Sequence, residues 1–272
     1  MSTTLMLCAM NFESDIASKR LGNRCVIRTI GVGEHCAHAL KDLANEFGAG
    51  TNVILCGLAG GLSARAKLGQ AYVASHVTAP NGSVIPAPWM PGGVNAPPLT
   101  SKEISSVDTP MNSAALPLFC ADVLLADTHV KEQTARQFSC DMVDMESAHF
   151  ARVAAQAGWR WLIVRGVSDD VQTQLPPGVF NFVNAAGAPR PLAIALHVAT
   201  HPWQIPLLRH LGQKSTLAMN NACDIVERAL MELPSRTRAK CLCLAAHLIR
   251  RIGAMFHWPN KPRRPLAPMK FA

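Results

Sequence analysis

The segment Asn52-Val53-Ile54-Leu55-Cys56-Gly57-Leu58-Ala59-Gly60-Gly61-Leu62 decides the fold. Its first five residues form a short apolar run of the kind that makes a buried strand. The rest places three glycines within five positions, which allows close approach of the backbone to another group. Strand ends of an open α/β sheet are where ligands sit. The plain alternative is a turn that needs unusual dihedrals. Working outward, similar apolar runs at Leu5–Met10, Cys25–Ile30, Gln70–Ser75, Asp122–Ala126 and Trp161–Val167 predict further strands. Helical patterns lie between them. Glu34–Phe47 puts Leu40, Leu43 and Phe47 on one face, and Ser147–Ala157 is rich in alanine. Leu192–Ala199, Ile205–Leu211 and Lys214–Leu230 predict helices after Pro189. This alternation implies an α/β domain with helices on both faces of its sheet. Pro80–Pro117, with eight prolines, is too long for an ordinary connection and predicts a functional loop or lid.

Composition bounds the function. With 49% hydrophobic and 16% charged residues, the 272-residue chain has ample apolar surface to fold, which excludes a disordered protein. The net charge of +8 is uneven. From Arg236 onward there are nine basic residues and no acidic one, whereas residues 1–235 hold 17 basic and 18 acidic groups. Two regions follow: a main domain over 1–235 and a basic tail over 236–272. The high isoelectric point belongs to the tail, and an aromatic content of 6% offers few stacking platforms, so no nucleic-acid partner is expected. The nine cysteines contain no C-x-x-C pair. The N-terminus has no basic region before its apolar stretch, and no apolar run approaches about 18 residues. The expectation is a reduced, cytoplasmic protein. No H-E-x-x-H or comparable spacing exists, so neither metal nor cofactor is expected.

Three acidic residues stand at strand ends. Glu13 lies just past the first strand, Glu146 in Asp144-Met145-Glu146-Ser147 before the alanine-rich helix, and Asp169 in Val164-Arg165-Gly166-Val167-Ser168-Asp169-Asp170. A lone carboxylate at a helix start serves the helix dipole. Three at three strand ends suit acid/base chemistry on a neutral, hydroxyl-rich substrate. Gly31-Val32-Gly33 follows a strand, but position 36 is Cys36 and no acidic residue stands about 20 positions on, so a dinucleotide fingerprint is weak. A tight turn whose amides face a ligand and a plain strand–helix turn remain equal readings. His129 and His149 read by default as ordinary hydrogen-bonding histidines, and no serine stands out as a nucleophile.

In this order, Ala9-Met10-Asn11-Phe12-Glu13, Gly31-Val32-Gly33, Gly57–Leu62 with Leu68-Gly69, Val143–Glu146 and Arg165–Asp169 resemble the nucleoside phosphorylase superfamily. They are most similar to its methylthioadenosine/S-adenosylhomocysteine nucleosidase branch. Past Asp169, Leu175-Pro176-Pro177, Ala199–Leu211 and Lys214–Leu230 resemble the hopanoid-associated branch, which releases adenine from adenosylhopane. The resemblance implies a three-layer sandwich around a central mixed sheet, with a helical C-terminal extension, and a homo-oligomer. It implies that Asp169 protonates N7 of the leaving adenine, with a carboxyl kept protonated by burial. Glu13 would activate water, Glu146 would bind the ribose hydroxyls, and Met145 would pack on the ribose. Ala59, Gly60, Ser168, His129 and Val130 would line the substrate, although His129 stands where Phe is common.

Phosphorolytic relatives carry arginines where this chain has Met10, Asn11 and Phe12 and, before the glycine run, Ile54 and Leu55. A phosphate without such partners is poorly held, which favours water as nucleophile; Arg24, Arg65 and Arg165 are the remaining candidates. Methylthioadenosine/S-adenosylhomocysteine nucleosidase and purine nucleoside phosphorylase activity are the alternatives within the superfamily. A nucleoside-binding module and a membrane-peripheral scaffold are the non-enzymatic ones. In the tail, Cys241–Phe256 allows a helix with an apolar side flanked by Arg236, Arg238, Lys240, Arg250 and Arg251, which suits an anionic membrane surface. The plainer alternatives are a helix packed on the domain and a basic end with no partner.

Overall fold

Alternate residues of the central strands face two separate apolar cores. The computed structural model describes residues 4–87, 115–176 and 178–232. Among them the chain runs β1 (Thr4–Cys8), α1 (Asn11–Leu21), β2 (Val26–Thr29), α2 (Cys36–Glu46), β3 (Asn52–Gly61), β4 (Ala71–Thr78), β5 (Val84–Pro86), β6 (Ala115–Cys120), α3 (Thr128–Phe138), β7 (Met142–Asp144), α4 (Ser147–Gln156), β8 (Arg160–Asp169), α5 (Pro191–Thr200) and α6 (Ile205–Glu232). Leu5, Leu7, Val53, Leu55, Trp161 and Ile163 pack with α2 and α4 on one face. Their neighbours Met6, Cys8, Ile54, Cys56, Leu162 and Val164 pack with α1 and α6 on the other. The two-residue period of a strand thus serves both cores. Strands buried on both sides show as unbroken apolar runs, which is why the sequence marks them.

The sheet is mixed. β1 pairs parallel with β2 and β3, and β3 pairs parallel with β8 over most of its length. β8 then pairs antiparallel with β4, β4 and β7 each pair parallel with β6, and β7 returns antiparallel to β3. The strands β3, β8, β4, β6 and β7 therefore close a ring, so the sheet curls on itself at the end where β3 carries its glycines. The register of β3 on β8 slips between Ala59 and Gly60, bringing Gly60 opposite Asp169.

Two expectations are corrected. Asp122–Ala126 is not a strand; Val123 and Leu124 are exposed, and the strand is Ala115–Cys120 just before it. That strand contains Pro117, which lacks an N–H and falls where the register of β4 on β6 shifts. Ile205–Leu211 and Lys214–Leu230 are one continuous helix, α6, which passes through Gly212. Helices α1 and α3 were not marked by any apolar face: α1 buries only Glu13, Ala17 and Leu21, and α3 only Lys131 and Thr134. Most of Pro80–Pro117, with Trp89, Met90 and Leu99, and all of the tail 236–272 lie outside the described residues.

Helix α6 lies tightly on β8. An ideal Cβ on Gly166 would sit 2.4 Å from the backbone oxygen of Ala218. Gly166→Ala is therefore expected to destabilise the fold by about 1–3 kcal/mol. Gly212→Ala, with nothing within 4 Å of the added carbon, should raise stability by about 0.5–1 kcal/mol. Denaturant melts of both variants check this pair; equal shifts would contradict the packing described.

Candidate active site

Glu13 is the third residue of α1, and its carboxylate turns back onto the end of β1. Oε2 accepts from the amides of Ala9 (2.9 Å) and Met10 (3.0 Å), and Oε1 accepts from the amide of Leu58 on β3 (2.7 Å). The reach to Met10 is half of a capping box. Burial pushes the Glu13 carboxyl above its ordinary range, against the opposing pull of Arg165 and these three amides.

Arg165 lies on β8, inside the sheet, with no exposed surface. Its Nε donates to Asp144 Oδ2 at 2.9 Å, and Nη2 donates to Asp144 and, at 3.4 Å, to Glu146 Oε2. Its Nη1 has no hydrogen-bond partner among the described residues. Burial works against the guanidinium charge, but Asp144, Glu146 and Glu13 outweigh it and raise its proton affinity further. Asp144 also accepts from the hydroxyl of Ser147 at 2.6 Å. Glu146 Oε1 accepts from the amide of Gly33 at 2.8 Å. Gly33 has a positive φ of 61°, and the Cε of Met145 lies 3.4 Å from where its Cβ would stand. The Gly31-Val32-Gly33 turn thus seats a carboxylate, its Gly33 amide facing a side chain of this chain. Burial, relieved by Arg165 and aggravated by Asp144, raises Glu146 to about 7.

Asp169 ends β8. Its Oδ1 accepts from the Ser168 hydroxyl at 2.8 Å, and its Oδ2 pairs with the ammonium of Lys131 on α3. A buried cation, which the sequence reading did not include, thus stands against this carboxyl. His129 and Val130 begin the same helix, where their amides donate to the N-cap carboxylate of Asp127 at 2.8 and 3.1 Å. Both side chains are exposed, so the structure does not bring them into this buried set; Lys131, the next residue, enters it instead.

Glycines let these groups meet. An ideal Cβ at Gly57 would lie 2.5 Å from Arg165 Nη1 and 2.7 Å from Glu13 Oε1. One at Gly60 would lie 3.1 Å from Asp169 Oδ2. The bare backbone of β3, from Gly57 through Ala59 to Gly60, therefore runs along the carboxylate set, with Glu13 at one end and Asp169 at the other. The Ser168 hydroxyl also lies 3.3 Å from the carbonyl oxygen of Ala59. Two of the three arginines named for anion binding are engaged elsewhere: Arg24 pairs with Glu227 at the surface, and the exposed Arg65 with the buried Asp141.

The sequence profile of the phosphorylase superfamily matches residues 13–199, a span that includes all three carboxylates. The chain belongs to this superfamily. No curated protein sequence matches it significantly. Among solved structures, futalosine hydrolase of Helicobacter pylori is similar, with a TM-score of 0.56 at 14% identity, covering 86% of this chain and 99% of that one. So is a 5′-methylthioadenosine/S-adenosylhomocysteine nucleosidase from Colwellia psychrerythraea in complex with adenine, with a TM-score of 0.55 at 16% identity over 86% and 96% of the two chains. An S-adenosylhomocysteine nucleosidase from Streptococcus pyogenes gives 0.55 at 18% over 86% and 99%. At these identities the likeness is one of fold, and it agrees with the mixed sheet between helical layers.

The raised Glu146 carboxyl makes stability depend on pH. Its folded value of about 7 lies above an unfolded value of about 4.3, so its stabilising contribution is present below the unfolded value and is lost as pH rises through the folded one. Wild-type protein should therefore lose stability relative to Glu146→Gln between about pH 5 and about pH 8. Parallel denaturant melts of the two proteins across that window check this, and a constant difference would contradict it.

Proposed function

We propose that this chain hydrolyses the N-glycosidic bond of an adenine nucleoside, and that its substrate carries a large apolar 5′ group, as adenosylhopane does. Cleavage of a glycosyl bond is the activity its superfamily carries. The observation that supports the reading best is a set of three buried carboxylates: Glu13 beside Gly57 and Asp169 beside Gly60 of β3, and Glu146 held by Arg165, which itself lies against Gly57. Such cleavage passes through a cationic, oxocarbenium-like sugar and needs a protonated leaving base. Asp169 would give a proton to N7 as the C1′–N9 electron pair moves into the base. Glu146 would accept hydrogen bonds from the ribose hydroxyls and, when ionised, oppose the positive sugar. Glu13, a stronger base through its burial, would take the proton of the attacking water. The proton gained there returns to Asp169 through solvent, so the cycle balances.

Water as nucleophile rests on charge. Arg165 Nη1, which has a proton to donate, and Glu13 Oε1, an acceptor, both lie close against the Gly57 face of β3. A phosphate brought to them would face Glu13 and Glu146 with one unshared guanidinium edge to offset them. The names of the similar structures, a futalosine hydrolase and two adenosyl-type nucleosidases, support hydrolysis of a purine nucleoside.

Support for the apolar 5′ group comes from the segment after Asp169. The amide of Asn11 donates to Gly187 O at 2.8 Å and that of Val32 to Ala185 O at 3.0 Å, which pins this loop to the strand ends carrying Glu13 and the Gly33 turn. It leads into α5, which has no buried residue, and Leu192, Leu196, Trp203, Ile205 and Leu207 are exposed there. An apolar surface starting at the sugar end of the carboxylate set suits an apolar substituent. A homo-oligomer and a membrane contact through 236–272 belong to the same reading. No described helix is long and apolar enough to cross a membrane.

Adenine release, followed chromatographically, tests the proposal. It should proceed without phosphate, prefer adenosylhopane to methylthioadenosine, and fall by about 10²–10⁴ in Asp169→Asn. Strict phosphate dependence would overturn the choice of water, and preference for methylthioadenosine would overturn the choice of substrate. Near-normal turnover in a folded Asp169→Asn variant would overturn the assignment of the acid.

A further inference from the structure

Lys131 has no exposed surface, and each of its three ammonium protons has an acceptor. They are Asp169 Oδ2, the carbonyl oxygen of Asp170 at 3.0 Å and that of Thr173 at 3.0 Å. A buried lysine is costly to ionise unless it is paired and fully hydrogen-bonded, and this one is both. The cation does not complete the apolar packing, since α3 otherwise buries only Thr134 and the helix is capped independently by Asp127. Its contacts all lie in one short stretch, Asp169 to Thr173. The same turn is closed by its own bonds, Thr173 N to Asp170 O at 3.1 Å and Thr173 Oγ1 to Asp170 Oδ1 at 2.6 Å. Besides tethering this turn to α3, Lys131 sets a fixed positive charge on one oxygen of Asp169.

We propose that Lys131 is a positioning residue for Asp169: it anchors Oδ2 and thereby assigns proton transfer to Oδ1, stabilising the carboxylate that the transfer leaves behind. The proposal rests on the nucleosidase reading above. With Oδ2 facing an ammonium, the transferable proton sits on Oδ1. The Ser168 hydroxyl, within 2.8 Å of Oδ1, then accepts from it or turns its own proton toward Ala59 O. As the C1′–N9 bond breaks, the Oδ1 proton moves to the base nitrogen, and the negative charge left on Asp169 is met by Lys131 without reorganisation. The charge therefore acts where it develops, in the transition state. Other ionisable groups around the site are engaged elsewhere: Asp141 with Arg65, Asp144 and Glu146 with Arg165, and Asp170 with its own turn.

The test is steady-state adenine release by full-length wild type, Lys131→Gln and Lys131→Ala, with thermal melts of each. The Gln amide is uncharged and one atom shorter than the lysine, and it keeps two N–H donors for the three acceptors that Lys131 serves. Lys131→Gln should keep its fold and lose about 10- to 100-fold in kcat, with KM changed less than about threefold. In Lys131→Ala, n-propylammonium should restore part of kcat, and the uncharged isostere n-butane should not. A folded Lys131→Gln with wild-type kcat overturns the proposal. So does a loss of kcat in both variants that follows loss of the fold, with no response to n-propylammonium. A wild-type enzyme that releases no base from any nucleoside overturns the nucleosidase reading first, and this proposal with it.

Discussion

Arg165 is the group on which the site depends. A guanidinium with no exposed surface survives inside a sheet only because acidic groups surround it, and Asp144 and Glu146 do so directly. Removing one partner of such a pair leaves a buried charge uncompensated, at a cost of about 3–5 kcal/mol. The dependence is mutual. Without Arg165, Asp144 and Glu146 would be two desolvated carboxylates side by side. Its position on β8, opposite Gly57 of β3, brings it within reach of Glu13 as well. One cation therefore organises acids that come from two separate stretches of the chain.

The glycines of β3 are the complementary constraint. A strand with side chains at 57 and 60 would fill the space that Glu13, Arg165 and Asp169 occupy. The register slip between Ala59 and Gly60 sets Gly60 against Asp169 at the point where the sheet curls. Fold and site are thus tied at one strand. The seven described cysteines are all buried and free, and burial pushes Cys25 up to about 11 and Cys120 and Cys223 up to about 12, so they act as packing groups.

Much of this was legible in the sequence. The strands at 52–61 and 160–169 announce themselves because burial on both faces demands continuous apolar residues. Glu13, Glu146 and Asp169 were legible as acids at strand ends. What escaped has physical reasons. Helix α3 is polar along most of its length because its buried face ends on a cation, and Lys131 meets Asp169 across 38 residues of chain, a pairing no local pattern encodes. Arg165 looked like a candidate for phosphate, since an arginine inside an apolar run carries no sign of its partners. The strand at Ala115–Cys120 was hidden by Pro117, which sits at a bulge. Gly212 looked like a helix break, yet the cost of about 1 kcal/mol for a glycine in a helix is outweighed by the packing of α6 on the sheet.

The central claim is that the buried carboxylates along β3 form a nucleoside site with Asp169 at the base. A crystal structure of the protein soaked with adenine tests this most directly. The account predicts the base lying over Ala59 and Gly60, with N7 within hydrogen-bond distance of the Asp169 carboxyl and the N9 edge turned toward Glu146 and Glu13. Adenine bound elsewhere, for instance in the surface groove lined by His76, Thr78 and Phe138, with Asp169 untouched, would contradict it.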